Sequence, residues 1–433
     1  MKNMIQVALY SVLLVFCSIV AQLVSQKVKD PFIDEFFHLR QCLVYCDYKF
    51  DVWDNKITTP PGLYYLGFAY TKLISYLGVP LDTISAKYDV LRSLNLVGGL
   101  VFLPLFVYIY NKKIWWVNII SSPLLIPYYF LFYTDIWSLV FVVGSLAFTR
   151  HSVVVSGLLG FISLWFRQTN IIWVAFIASV YIDQFVKEDD LVGYFQQYVK
   201  QAFGHVVQLT PYVINFVLFA IFLKINGGIT LGDKENHQVQ IHLVQIFYAV
   251  LFINFFTLPT FISIDKLKRY GKSFIGPYFI YLPLNILGGF IIHYIIENFT
   301  IVHPFLLADN RHYTFYLWKR ILSHKYSSIV MIPIYHFGTW NIIHSLIKAK
   351  VSIIVIISFI MANLLTIVPS PLFEPRYYIT PLVIFRMLTN KSCKYRNLPE
   401  FAWSSIINVI IMYIFFTYEF TWESEKGIQR IIW

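Results

Sequence analysis

Charge is what this chain has least of. Of its 433 residues only 13% are Asp, Glu, Lys or Arg, roughly half the share in an ordinary soluble domain. The 58% that are hydrophobic and the 19% that are aromatic exceed what one water-soluble core can hide. They come in long uncharged blocks, which excludes a soluble enzyme, a disordered chain and a fibrous repeat. Cysteine is scarce too. Of the four, Cys42 and Cys46 are spaced i, i+4, Cys17 lies inside an apolar block and Cys393 lies in a loop. At most one weakly constraining bridge could form, so there is no disulfide framework. No GxGxxG, Walker or zinc-finger spacing occurs. His237 and His242 are i, i+5 and do not share a helical face as in an HExxH site, so neither a metal nor a cofactor is expected.

What is present is a series of apolar blocks. Residues 4–24 follow Lys2, precede no small-residue cleavage site and are long enough to cross a hydrocarbon core. Further blocks cover residues 94–110, 114–133, 136–149, 152–166, 171–182, 206–223, 243–264, 273–296, 326–347, 351–373, 377–385 and 401–418. The expectation is an all-α polytopic membrane protein of roughly 13 spans, with residues 1–433 forming a single embedded domain.

The loops set the orientation. With alternating spans and a cytosolic N-terminus, one side collects 16 basic and 6 acidic residues, including Lys266, Arg269, Lys348 and Arg396, a net charge of +10. The other side is nearly neutral, and this asymmetry follows the positive-inside rule. The net +11 of the chain is therefore a topological signal and no argument for nucleic acid. The near-neutral side holds the loops rich in carboxylates, cations and aromatics, which is where chemistry is expected. Its longest loop is residues 25–92, in which residues 62–81 read as an interfacial or re-entrant helix.

In that loop Asp30-Pro31 can cap a helix carrying Asp34, Glu35 and His38, with Asp34 and His38 on one face. Acids in a first turn also simply complement the helix dipole. Trp53-Asp54 precedes Ile57-Thr58-Thr59-Pro60-Pro61-Gly62, and shorter loops hold Tyr133-Thr134-Asp135, Gly232-Asp233-Lys234 with His237, and Glu374-Pro375-Arg376. Residues 303–320 mix His303, Asp309, Arg311, His312, Lys319 and Arg320 with aromatics that include Trp318. Arginine and lysine suit phosphate oxygens, and flat rings suit the apolar face of a sugar. An interfacial belt of snorkelling cations would use the same residue types.

Together these motifs, and above all the run 307–316 with Trp318-Lys319-Arg320, resemble the endoplasmic-reticulum α-1,2-glucosyltransferases of N-glycan assembly, over residues 29–378. The resemblance implies a GT-C type bundle in the endoplasmic-reticulum membrane with its active site facing the lumen. It implies dolichyl phosphate glucose as donor, a dolichol-linked oligosaccharide carrying two glucoses as acceptor, inversion at the anomeric carbon, and no metal. An inverting displacement needs a carboxylate to take the acceptor hydroxyl proton. Asp34 is expected in that role by analogy with the family's first acid, with Glu35 next and Asp135 or Asp309 in support. Arg311, His312, Lys319, Arg320 and Arg376 are expected to meet the donor phosphate. Trp53 and Trp318 are expected to stack on sugars, with His38, Asp54, Asp233 and His237 as further substrate contacts. Residues 297–325 become a lumenal donor-binding loop. Another dolichol-phosphate-sugar dependent glycosyltransferase, a transporter and a non-catalytic membrane chaperone are the competing readings.

Overall fold

In a computed structural model of the chain, residues 2–188, 190–234, 238–276, 278–389, 394–423 and 425–433 are described. His237, with Glu235 and Asn236, lies outside them, as do Asp189, Lys391 and Cys393. The chain folds as two compact units. The first comprises Met1–Ile120, Leu125–His237 and Ser352–Ala362, and the second Ser121–Leu124, Gln238–Val351 and Asn363–Trp433.

Among the described residues five helices are long and apolar enough to cross a membrane: Asn3–Lys27, Ile84–Tyr110, Val206–Asn226, Ile280–Phe299 and Arg396–Thr417. Shorter apolar helices accompany them, including Asp135–Phe148, Val153–Leu164 and Asn170–Asp183. The protein is an all-helical, multi-pass membrane protein. The first helix buries Leu13, Cys17, Val20 and Val24, a stripe at alternating spacings of four and three, and leaves Val7, Val12, Val15 and Ile19 exposed. Val213, Val217, Ile221 and Ile225 of the Val206–Asn226 helix are likewise exposed. In water such a surface would aggregate, whereas against lipid tails it is the stable arrangement.

Small residues bring helices together inside the first unit. A Cβ on Gly157 would collide with Pro211 of the Val206–Asn226 helix. The gap is tied by Asn215 Nδ2 donating to Gly157 O (2.9 Å) and by a 2.7 Å hydrogen bond between the Ser156 and Tyr212 hydroxyls. With no hydrophobic drive between helices in lipid, close backbone approach and polar contacts do this work.

Several expected boundaries are corrected. Residues 114–133 are not one helix but Trp116–Ile120 and Ile126–Tyr129, broken around Pro123. Residues 243–264 divide into Gln245–Phe256 and Leu258–Phe261 at Thr257, ahead of Pro259. Proline lacks a donor and disfavours helix in the residue before it, a local effect that a hydropathy window averages away. The helix expected to start at Asp30-Pro31 starts at Glu35, with Asp34 at its N-cap. The helix from Gly62 stops at Tyr76, where Gly78 takes a positive φ of 87°. Residues 191–204, read as loop, form the helix Leu191–Gly204, and residues 265–272, read as the loop between two spans, lie in the helix Ile264–Ile275. Strand structure among the described residues is confined to an antiparallel hairpin, Phe420–Trp422 with Glu425–Gln429, and a single parallel bridge between His312 and Ile432.

Candidate active site

In the first unit the motif around Asp34 is built on a strained turn. Ile33 has φ 52°, a left-handed conformation seldom taken by a β-branched residue and costing on the order of 1–3 kcal/mol. Glu35 holds the turn shut. It is 0% exposed and accepts four hydrogen bonds. Arg92 Nε (2.9 Å) and Phe132 N (2.8 Å) donate to Oε1, and Arg92 Nη2 (2.7 Å) and Phe32 N (3.1 Å) donate to Oε2. Arg92 Nη1 also donates to Val28 O at 2.6 Å, and Tyr133 Oη donates to Phe32 O at 3.2 Å. The residues of the acidic motif, the start of the Ile84–Tyr110 helix and the Tyr133–Asp135 motif are thus one knot.

The two acids consequently differ. Asp34 is half-buried at the helix N-cap, whereas Glu35 is fully enclosed with both oxygens hydrogen-bonded. A carboxylate with both oxygens occupied and no surface is placed to hold backbone, not to take a proton from a bound hydroxyl. Sequence reasoning missed Arg92. The signal that could have found it is an arginine at the very edge of the apolar run 94–110, where an ionisable side chain needs a partner.

His38 is buried one turn on, with Nδ1 2.8 Å from the Tyr64 hydroxyl. The half-buried Trp53 has its ring 5.8 Å from that of Tyr64. Gln41, also unforeseen, fastens the Trp53-Asp54 loop to the Glu35–Cys46 helix: its Nε2 donates to Val52 O (2.7 Å) and its Oε1 accepts from Asp54 N (3.0 Å). Gly232-Asp233 lies against the same loop, with Asp233 N donating to Asn55 O at 2.9 Å. A Cβ at Gly232 would strike the Asn55 and Ile57 carbonyls, so only glycine permits this approach. Gln168 Nε2 joins both sides by donating to Thr58 O (2.8 Å) and Ile229 O (2.9 Å). Asp135, at the start of its helix, pairs with Arg167 at 2.6 Å. The dispersed motifs 30–38, 53–62, 133–135 and 232–234 of the first unit are thereby tied together, with Arg167 and Gln168 as the links between them.

In the second unit Asp309 and Arg311 form a side-on pair, with Arg311 Nε 2.9 Å from Oδ1 and Nη2 2.8 Å from Oδ2. Burial alone would raise the Asp309 carboxyl pKa. Hydrogen bonding from Arg311, then the charges of His312 and Arg311, overcome this and hold it below the usual carboxylate range. His312 Nε2 is 3.7 Å from Asp309 Oδ2. Arg311 is only 8% exposed, because residues of 420–423 and 425–433 fold over it. Trp422 lies 4.3 Å from the guanidinium and donates through Nε1 to Asn310 Oδ1 (3.0 Å), and Gln429 Oε1 accepts from Arg311 Nη1 (3.0 Å). Ile432 N donates to Arg311 O (2.7 Å), and Tyr313 N donates to Ile432 O (2.9 Å). None of these later residues belongs to the motifs read from sequence.

The expected phosphate contacts therefore divide. Arg311 and Arg376 are engaged by Asp309 and Glu374, while Lys319 and Arg320 are exposed, beside the rings of Phe315 and Tyr316. Trp318 lines a cavity of about 300 Å³ shared with Glu297, His324, Lys325, Tyr248 and Tyr335. His324 and Lys325 are unforeseen polar residues at that cavity. Cys17, Cys42 and Cys46 are free thiols. Among the described residues no group of three or more His, Cys, Asp or Glu could hold a metal.

A family model described as the DIE2/ALG10 family matches residues 28–387 of this chain. A Debaryomyces hansenii protein named Dol-P-Glc:Glc(2)Man(9)GlcNAc(2)-PP-Dol alpha-1,2-glucosyltransferase is 50% identical, with 99% of each chain covered. Proteins of the same name from Candida albicans and Homo sapiens are 46% and 32% identical, covering 93% and 94% of this chain and 94% of each relative. Among solved structures, the archaeal oligosaccharyltransferase AglB from Archaeoglobus fulgidus, in complex with an inhibitory peptide and a dolichol-phosphate, is 12% identical with a TM-score of 0.40. The match covers 95% of this chain and 55% of that one, so this chain spans about half its length, and the likeness is too slight to carry an argument.

Proposed function

This chain belongs to the DIE2/ALG10 family, and from that premise we propose that it transfers glucose from dolichyl phosphate glucose to the dolichol-linked oligosaccharide that already carries two glucoses. The product is the terminal α-1,2-glucose of the N-glycan precursor. The observation that carries this reading is the 50% identity over 99% of both chains to a relative whose name states that reaction. The chain works as a GT-C type bundle of roughly 13 crossings, with its chemistry on the lumenal face of the endoplasmic-reticulum membrane.

Asp34 is the base. It takes the proton of the acceptor 2-hydroxyl as that oxygen attacks the anomeric carbon, while dolichyl phosphate leaves from the opposite face with the bonding electrons. Asp135 supports it. Glu35 and Arg92 position Asp34 by closing the strained turn at Ile33. The donor's negative charge is met by Lys319, Arg320 and Lys325. Arg311 and Arg376, engaged by their own carboxylates, hold the surrounding backbone with His312. Trp318 stacks on a sugar, and Trp53, with His38, Asp54, Asp233 and His237, serves the acceptor.

The test is reconstitution of the purified chain with labelled dolichyl phosphate glucose and the two-glucose acceptor, following the product by mass. One added hexose is expected. Transfer only from a mannosyl donor would reassign the chain to a sister activity, and no transfer from either donor would overturn the reading.

A second expectation concerns residues 419–433. Trp422→Ala removes the ring under Arg311, and the loss of that cation–π contact and its packing is expected to raise the donor KM about tenfold. The acceptor KM and the melting temperature should move little. A donor KM equal to that of the unaltered protein would show that this segment does not serve the donor.

A further inference from the structure

At the far end of the Ser327–Lys348 helix from the Trp318 cavity, the second unit contains another cavity of about 300 Å³. Ser328 lines the first and Ser345 the second. Their separation along the helix is about 25 Å at 1.5 Å per residue, so the two cavities are distinct.

The second cavity is strongly cationic. Lys266, Arg269, Lys348 and Arg396 line it, with Ser263, Ser345, Thr260 and Thr389 supplying hydroxyls. Among the described residues that line it, the one carboxylate, Asp265, is exposed in the first turn of the Ile264–Ile275 helix. The nearest buried acid, Glu400, is paired with Arg386 at 2.9 Å and bonded by the Thr260 hydroxyl. Lys266 is 9% exposed, and among the described residues its Nζ meets neutral groups: Asn341 Oδ1 at 2.5 Å, Ser345 Oγ at 2.6 Å and the Phe261 ring at 5.5 Å.

A loop cation that merely follows the positive-inside rule lies in water, where it needs no counter-charge. Lys266 is instead buried beside three other cations. Burial first, then Lys348 and Arg396, push its pKa down to about 8. A buried charge is retained when something compensates it. The C-terminal dipole of the Ser327–Lys348 helix offers only about half a charge, which leaves the buried Lys266 ammonium incompletely matched, with the exposed Arg269 and Lys348 and the half-buried Arg396 adding to the local positive potential.

We propose that this cavity binds a phosphate-bearing anion, through the guanidinium forks of Arg269 and Arg396, the ammonium groups of Lys266 and Lys348, and the flanking hydroxyls. All four cations belong to the set that charge asymmetry places on one membrane side. A phospholipid headgroup at that interface and a free phosphate compound carry the same chemistry.

Two arms separate these sources, both on the full chain. In lipid nanodiscs, retained phosphatidic acid and phosphatidylinositol are counted by native mass spectrometry against a phosphatidylcholine background. In detergent, inorganic pyrophosphate is titrated and thermal unfolding followed. Binding is expected in at least one arm, and Arg269→Ala with Lys348→Ala, both at exposed positions, is expected to weaken it about tenfold or more. Lys266→Met is expected to do the same without loss of thermal stability, because it removes a strained charge. Should Lys266→Met fail to fold, the exposed double variant still decides. Signal in the lipid arm identifies a headgroup, and signal with pyrophosphate alone identifies a soluble phosphate. No binding in either arm, or binding unchanged in the double variant, would overturn the proposal.

Discussion

Asp34→Asn is expected to lower kcat by about 10²- to 10⁴-fold, the range typical for loss of a general base, with KM for both substrates and the melting temperature nearly unchanged. The amide keeps the size of the carboxylate and removes only its basicity. Asp34 is half-buried at the helix N-cap, and the turn beneath it is held by Glu35 and Arg92, so the backbone does not depend on the charge of Asp34. The measurement is turnover against donor and acceptor concentration, with thermal unfolding in parallel. Near-normal turnover would move the base elsewhere, to Glu35 first and then to Asp135 or Asp309 among the acids already in view.

Arg92→Leu is expected to destabilise the protein by about 3–5 kcal/mol, the usual consequence of leaving a buried carboxylate without its cation. Glu35 is enclosed, and Arg92 supplies two of its four hydrogen bonds. Glu35→Gln keeps the shape but weakens the pairing and turns a donor toward Arg92, so it too should unfold early. The double replacement of both residues by leucine should be more stable than Arg92→Leu alone, because the uncompensated charge is gone. For either single variant, activity per folded molecule should fall much less than for Asp34→Asn. If Glu35→Gln folded normally yet lost turnover as Asp34→Asn is expected to, the positioning role would be wrong and Glu35 would be the base.

The two acids show how far sequence could reach. Adjacent carboxylates ahead of an apolar helix look equivalent in one dimension, and nothing in residues 30–38 marks which is enclosed and which is half-buried. The distinction comes from Arg92, 57 residues away, and from the backbone of Phe132, 97 residues away. The same holds for residues 309–313. Their cations and aromatics are legible as a site, but Trp422 and Gln429, which bury Arg311, lie over 100 positions further on, in a segment with no recognisable motif.

Hydropathy and charge, by themselves, determined that this chain is a multi-pass helical membrane protein, and its motifs determined the family to which it belongs. Both are sums or strings over neighbouring residues and need no partner to be read. The breaks at Pro123 and Pro259 and the early stop at Tyr76 are local effects that a hydropathy window hides, whereas the strained turn at Ile33 and the hairpin over Arg311 were decided only by tertiary structure. Whether a buried charge is a tool or a fastening depends on which distant donor meets it. In a low-dielectric interior that pairing outweighs any local preference.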